Sequence, residues 1–536
     1  MKHLKPDLWI FCSVAFLFGI LTLQACRIYH FRSDYQDANK LLYETENLET
    51  KPFLKAHLRN GDVIILTDTW EVDTTLDILS GNGSKYDYNR KKVYEGDIGL
   101  PIDSVAIFET NKKITPNESE RIAALTILAG LDIALGIYCL INPKACFGSC
   151  PTFYLDETGN IHSSDAEGFS NAISPSLEYF DIDALNDHWI TNSKFSITMK
   201  NEALETHCVN ELKLLAFPLT ENERICHSPE NDFYLCENNY TITRAEGPEG
   251  DITGLLSSSD KQERWSSADE NNLSSKEEIY LDFENLTDPF NLGLVISFRQ
   301  TLMTTYFIYS AMGYGGNQVG EVFAMLETEG TNEKLTLGIG KELGNIDCYF
   351  WNEEKKTWEN KGGFYETGPI AINHQILPLN CNASDGSAKI KLVVNRGLWL
   401  IDYLALTNIR EKADPVEIAP AEILNKGKKD EAALSRIQTP GKYLITMPGD
   451  VYTILFGLPE ENQHYELFLY SKGYYLEWMR SSWIREKDLL KLRQMIEHPD
   501  KYLKKEAKAY KQYETTMVRE FWNSRIDTEI FLNHEK

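Results

Sequence analysis

Basic residues are scarce beside acidic ones: 54 Lys and Arg stand against 80 Asp and Glu in 536 residues, a formal net charge of −26. A surface of this sign does not suit nucleic acid or a broad anionic membrane face, which are bound through an excess of Lys and Arg that displaces counterions. Signature motifs are missing too. There is no G-x-x-x-x-G-K-[ST], so no phosphate cradle of that kind and no nucleotide is expected. H-E-x-x-H and G-x-S-x-G do not occur, which removes the commonest zinc-protease and serine-hydrolase arrangements. Gly338-Ile-Gly340-Lys-Glu-Leu-Gly344 is a loose glycine pattern without βαβ context and reads as turns. No cofactor and no metal is expected.

What is present is globular material. Hydrophobic residues make up 42% and charged ones 25%, and the length exceeds one ordinary domain. Lys2, His3 and Lys5 precede an uncharged apolar run from Leu8 to Leu23, the pattern of a secretory signal covering residues 1–25. The run ends in Leu23-Gln24-Ala25-Cys26, which resembles the lipobox of bacterial lipoproteins. The resemblance implies lipidation at Cys26 (palmitate among the acyl groups) and a mature chain held at the outer membrane or cell surface. An uncleaved N-terminal anchor accounts for the same run. Residues 26–51 are polar and suit a tether.

Ten cysteines occur, eight of them beyond Cys26, and export permits disulfides. The local pairs expected are Cys146 with Cys150 and Cys226 with Cys236. Cys139, Cys348 and Cys381 fit buried thiols as well as paired ones. Residues 146–151, C-x-G-x-C-P, are similar to a lipoprotein domain of unknown function, which implies no chemistry. A structural brace explains Cys146 and Cys150 better than a redox pair, since Lys144 is the only nearby cation to lower a thiol pKa.

Short runs with alternating polarity and Gly, Asn and Asp turns predict a mainly β, multi-domain (α+β) fold with β-sandwich-like units. Residues 52–115 read as a small β domain with a hairpin turn at Gly81-Asn82-Gly83. Ile122–Ile141, with Asp132 its only charge, reads as a buried helix more readily than as a membrane span. A Cys-containing β domain follows at 146–245, then a linker at 246–278 and a sandwich-like domain at 279–410, interrupted by an apolar helix over 301–313. A second linker is expected at 411–435, a β meander at 436–480 and a helical tail at 481–536, with Pro499 at a helix start.

Three further constellations carry chemical possibilities. Asp165, Glu167 and Glu205, with His162, Glu202 and His207, have the residue types for metal binding or general acid–base work, but a solvated polar edge of a β domain explains them better. Asp181-Ile-Asp183-Ala-Leu-Asn186-Asp187 is dense in carboxylates but lacks the glycine and closing Glu of a calcium loop, so an acidic helix start is expected. Trp399, Asp402 and Tyr403, and Tyr475 and Trp478, combine rings with charges in the way sugar sites do, although core or interface packing is the commoner role of rings at such spacings. The stretch 399–406 looks like the last strands of carbohydrate-binding jelly rolls. The sequence therefore points to an exported, membrane-anchored, non-enzymatic binding or assembly component of the bacterial envelope, with an envelope protein or glycan as partner. The alternative is a glycan hydrolase using paired carboxylates.

Overall fold

The computed structural model describes residues 28–32, 54–58, 62–67, 69–73, 75–86, 92–113, 150–155, 164–170, 172, 178–190, 192–203, 205–220, 223–315, 338–365, 368–383, 386–446, 449–477 and 486–517. The signal, Cys26, the tether apart from residues 28–32, the 122–141 segment, Cys146, His162 and Trp478 lie outside them; residues 28–32 are not free tether but a strand paired from Ile28↔Lys113 to Arg32↔Glu109. The fold is mainly β with several helices. Among the described residues, no helix is long and apolar enough to cross a membrane. The chain divides into two compact units: residues 1–138 with 313–320 and 479–487, and the remainder.

The smaller unit is built on β1 (Ile28–Arg32), β2 (Leu54–Leu58), β3 (Val63–Leu66), β4 (Glu71–Asp73), β5 (Ile78–Tyr86), β6 (Lys92–Pro101) and β7 (Val105–Lys113). They form one sheet in the order β1-β7-β2-β3-β5-β4, with β6 beside β5. Trp70, Leu54, Leu66 and Leu79 are wholly enclosed at its core. Gly81 and Gly83 do not turn the chain, as the sequence suggested; they lie inside β5. A Cβ on Gly83 would stand 2.1 Å from the Ile65 carbonyl oxygen and one on Gly81 2.8 Å from Trp70 Cα, so glycine here admits neighbouring backbone.

The larger unit holds four sheets among the described residues. One runs β10 (Tyr179–Ile190), β30 (Gln463–Glu477), β12 (Glu205–Pro218), β25 (Val416–Ile418), with β28 (Leu444–Thr446) also on β12. The next runs β27 (Lys428–Lys429), β26 (Pro420–Asn425), β29 (Val451–Gly457), β11 (Lys194–Lys200), β8 (Thr152–Tyr154), β9 (Ala166–Glu167). A third runs β14 (Phe233–Thr241), β13 (Arg224–His227), β22 (Asn373–Pro378), β19 (Leu292–Gln300), β24 (Trp399–Ala413), β17 (Arg264–Trp265). Because β14 also pairs with β24, its first five strands close into a ring. The fourth runs β16 (Gly250–Asp251), β15 (Arg244–Gly247), β18 (Lys276–Phe283), β23 (Ala388–Asn395), β20 (Ile346–Asn352), β21 (Thr357–Phe364). The last two sheets meet in sandwich fashion, with Phe298 of β19 against Phe364 of β21 at 5.6 Å between ring centroids.

Several expectations are corrected by this topology. The acidic run 181–187 is strand, not a helix start, because β10 pairs with β30 from Tyr179↔Gly473 to Ile190↔Gln463. Residues 246–278 are not a free linker: Arg264 is buried and donates to Glu277 at 2.5 Å and to Glu249 at 2.8 Å, fastening the segment to the sheets. Residues 411–435 likewise supply β25, β26 and α3 (Glu431–Gln438), the Asp430 side chain accepting from Ala433 N–H at its N-terminus. No meander follows, since β28 and β30 join one sheet and β29 another.

The short α1 (Thr253–Leu256) lies in the corrected 246–278 segment. The apolar helix α2 (Met303–Gly315) forms where its pattern predicts. Tyr306 donates to Glu506 at 2.7 Å, and Phe307 meets Tyr502, so α2 packs on α5 (Pro499–Lys511), which follows α4 (Leu489–Glu497). Pro499 occupies the first turn of α5, where its missing N–H costs nothing. Phe298, fully enclosed between Phe364 and Trp399, is the test of the sandwich interior. Phe298→Ala is expected to cost about 3–5 kcal/mol in urea denaturation, and a cost below about 1 kcal/mol would show that these rings do not carry the core.

Candidate functional site

The carboxylates singled out in the sequence are brought together, but in the interior. Glu167 on β9 is 1% exposed. Its Oε1 accepts from the Cys150 thiol at 2.9 Å, and its Oε2 from the N–H groups of Ile370 and Ala371 at 2.6 and 3.1 Å. The 368–371 turn fits against it because Gly368, at φ +97°, has no Cβ; one would stand 2.9 Å from the Glu167 carboxyl carbon. Asp183 Oδ2 accepts from Glu167 N–H at 3.3 Å. Glu205 and His207, neighbours on one face of β12 as the spacing predicts, are fully buried with 3.1 Å between Oε2 and Nε2. Glu202 accepts from Thr152 and Tyr154 hydroxyls at 2.8 and 2.7 Å. Asp165 is exposed and caps the chain locally, accepting from Leu155 N–H at 2.8 Å.

Burial dominates the electrostatics of this cluster. It raises Glu167 to about 7 against the opposing pull of Cys150, Ile370, Ala371 and Arg299. Burial, with Glu167 nearby, raises Asp181 to about 7, and burial with Asp181 and Glu167 nearby pushes Asp183 well up. The Cys150 thiol is driven far above its ordinary range by burial and by Glu167, and it is enclosed where no outside reagent reaches it. Hydrolysis of a glycan needs carboxyl groups facing a cleft wide enough for the sugar. Glu167 and Glu205 face packed protein instead. Among the described residues, no group of three or more His, Cys, Asp or Glu is placed to hold a metal ion.

The ring-and-charge residues expected to bind a ligand are also interior. Trp399 is 2% exposed and packs on Phe298, and Asp402 is 1% exposed with Ser259 Oγ donating to it at 3.2 Å. Tyr475 is buried and its hydroxyl donates to the Ser170 carbonyl at 2.9 Å. Tyr403, half-buried, takes a hydrogen bond from Asn239 at 2.7 Å. These rings are core and edge partners, because both faces of β24 and of β30 are covered here. The expected Cys226–Cys236 disulfide is not formed; both carry free thiols, as does Cys150.

A different constellation lies on an outward sheet face, where Tyr280 is exposed and Tyr349, Trp351 and Trp358 are half-buried. On the fourth sheet, one set of alternate residues is enclosed: Ile279, Leu281 and Phe283 of β18, Ile390 and Leu392 of β23, Cys348 and Phe350 of β20. The other set points outward. Register places Tyr280 beside Lys391 and Lys391 beside Tyr349, so one cross-strand row reads Tyr280, Lys391, Tyr349. Trp351 pairs with Trp358 in the next row, ring centroids 5.3 Å apart, and Trp358 lies 5.9 Å from Tyr280. The Lys391 ammonium sits 5.1 Å from the Tyr349 centroid and 5.6 Å from that of Trp358. It donates to Glu278 at 2.9 Å, and Glu278 also accepts from the Tyr280 hydroxyl. Rings are thus set at fixed spacing by a salt-bridged lysine.

Trp351 also lines a cleft of about 320 Å³ with Asn352, Glu353, Glu354, Glu359, Asn382 and Lys389 among its walls. Lys355, Asn352 and Lys361 hydrogen-bond Glu359 and hold its carboxyl at about 2. The sequence reading missed this face, although the alternations Glu278-x-Tyr280, Lys389-x-Lys391 and Tyr349-x-Trp351 were there to be read as outward positions of paired strands.

No family model and no curated protein matches this chain.

The buried acids predict a pH dependence. Glu167 and Asp181 hold protons in the native state that the unfolded chain releases, so their contribution is fully present below their ordinary pKa and is lost as pH rises through about 7. Comparing pH 5 with pH 8, wild type should lose on the order of 3 kcal/mol more than Glu167→Gln in denaturant titrations. Equal losses in the two proteins would contradict this.

Proposed function

We propose that the chain is a non-enzymatic binding protein of the cell envelope, exported and held through a lipid on Cys26, which captures glycan on the outward aromatic face of β18, β23, β20 and β21. The observation that carries the reading is the outward set around Lys391, with Tyr280 exposed and Tyr349, Trp351 and Trp358 half-buried. Sugars present apolar C–H faces and a rim of hydroxyls, so they are held by ring faces interleaved with groups that donate and accept hydrogen bonds. Lys389, Asn352 and Glu354 supply such groups beside Trp351. Tyr280 and Tyr349 stand two strands apart in their row, roughly 9–10 Å, so successive sugars of a chain meet successive rings. The acidic balance of the chain favours an uncharged glycan over a polyanionic one.

The binding reading is preferred to hydrolysis because Glu167 and Glu205 are sealed from solvent. Titrating the full chain with purified neutral envelope polysaccharide in a calorimeter, we expect saturable binding without release of reducing ends. Tyr280→Ala with Trp351→Ala should weaken it at least about tenfold, with the circular dichroism spectrum unchanged. Binding that survives the double variant would remove the face from the site. Separately, Cys26→Ser should abolish incorporation of radiolabelled fatty acid in cells, and persisting label would end the lipid-anchor proposal.

A further inference from the structure

We propose that Cys226 and Cys236 form a reversible dithiol, closing to a disulfide by exchange with a small-molecule disulfide and reopening when thiol is in excess. The two residues belong to β13 and β14, a hairpin whose turn is closed by the Ser228 N–H donating to the Asp232 carbonyl at 2.8 Å. Register sets Cys226 opposite Tyr234 and Arg224 opposite Cys236, so the cysteines are diagonal neighbours on one face of the hairpin. The Cys226 thiol acts on the electrostatics of Cys236, and Cys236 donates to the Tyr234 carbonyl at 3.5 Å. Both belong to a small cluster to which every strand of the closed ring contributes: Cys226, Tyr234 and Cys236, then Val295, Ile376 and Ile409.

The environment divides the labour between the two sulfurs. Cys236 is 2% exposed, and its proton, held towards Cys226 and sealed in by burial, is given up only far above the ordinary thiol range. Cys226 is half-buried and is the sulfur a reagent reaches. A cleft of about 430 Å³ lies near the pair, with Tyr234, which stands opposite Cys226, and Ile409 in its lining. In the exchange, the Cys226 thiolate attacks the reagent disulfide, forms a mixed disulfide and releases one small thiol. Cys236 then attacks the Cys226 sulfur, its proton passing to the second departing thiolate. Overall, two protein thiols and one disulfide give one protein disulfide and two small thiols. Diagonal cross-strand positions demand some shift of β13 or β14 to reach bonding geometry, which raises the reduction potential and makes the bond easy to reopen.

The bond would act at the weak seam of the ring. On its other edge β13 meets β22 through one residue pair, His227↔Gln375. A covalent link to β14 fastens β13 where its sheet pairing is thinnest.

The test uses the full chain and needs no knowledge of its ligand. Both cysteines lie in a single tryptic peptide, residues 225–244. After incubation with glutathione disulfide and alkylation, this peptide should appear unalkylated and lighter by two hydrogens, and dithiothreitol should restore the doubly alkylatable form. Amide exchange at Ile225 and His227 should slow at least about tenfold on oxidation in wild type and not in Cys236→Ser. Recovery of the peptide with both thiols alkylated, a mixed disulfide at Cys226 that does not resolve, or a link to any other cysteine would each overturn the proposal.

Discussion

The carboxylate of Glu167 gathers hydrogen bonds from separate stretches of the larger unit, the thiol of Cys150 just before β8 and the backbone of Ile370 and Ala371 just before β22. The strand that carries it is two residues long and has little sheet pairing of its own. The turn it grips is anchored from its other side by β19: Gln300 N–H donates to the Gly368 carbonyl at 3.0 Å, and Arg299 donates to the Pro369 carbonyl at 2.7 Å. Without Glu167, two backbone N–H groups would be left buried and unmade, at about 1–3 kcal/mol each. The sandwich and the sheet of β8, β9 and β11 are thus joined by one polar group at a place where apolar packing would leave donors unsatisfied. Its raised affinity for protons is the physical counterpart of that position.

The two faces of the fourth sheet show a different balance. The inner face is aliphatic and aromatic and excludes water; the outer face keeps its rings partly open, Tyr280 most of all, by surrounding them with ion pairs. Lys391 is central, since its ammonium is held by Glu278 while resting against two ring faces. A bare aromatic patch of this size invites self-association, and interleaved charge counters that while leaving ring edges and faces available.

Much of the architecture was legible. The strands at 279–283, 292–298 and 399–406 announce themselves by apolar content and flanking turns, α2 by a long apolar run, and α5 by Pro499. What was hidden depends on partners distant in sequence. The acids of 181–187 favour a helix start locally, but pairing with β30 overrides that preference. Arg264 turns a segment of linker-like composition into fixed structure because Glu249 and Glu277 meet it. Trp399 and Tyr475 have the composition of a binding site and Tyr280 and Trp351 do not look different; only register and sheet stacking decide which rings face water. Glu205 with His207 was readable because two residues on one strand share a face whatever the sheet.

The order of pairing along the chain has a kinetic meaning. The strand β12 runs beside β30 from Glu205↔Glu477 to Pro218↔Tyr465, and β11 lies beside β29. A chain emerging from its N-terminus therefore exposes β10, β11 and β12 for the time needed to produce some 250 further residues. Loop closure over such separations is slow, and unpaired strands are prone to wrong association. The larger unit is consequently one whose assembly waits for its last strands, and its early strands must be kept apart by helpers or by speed of synthesis until those arrive.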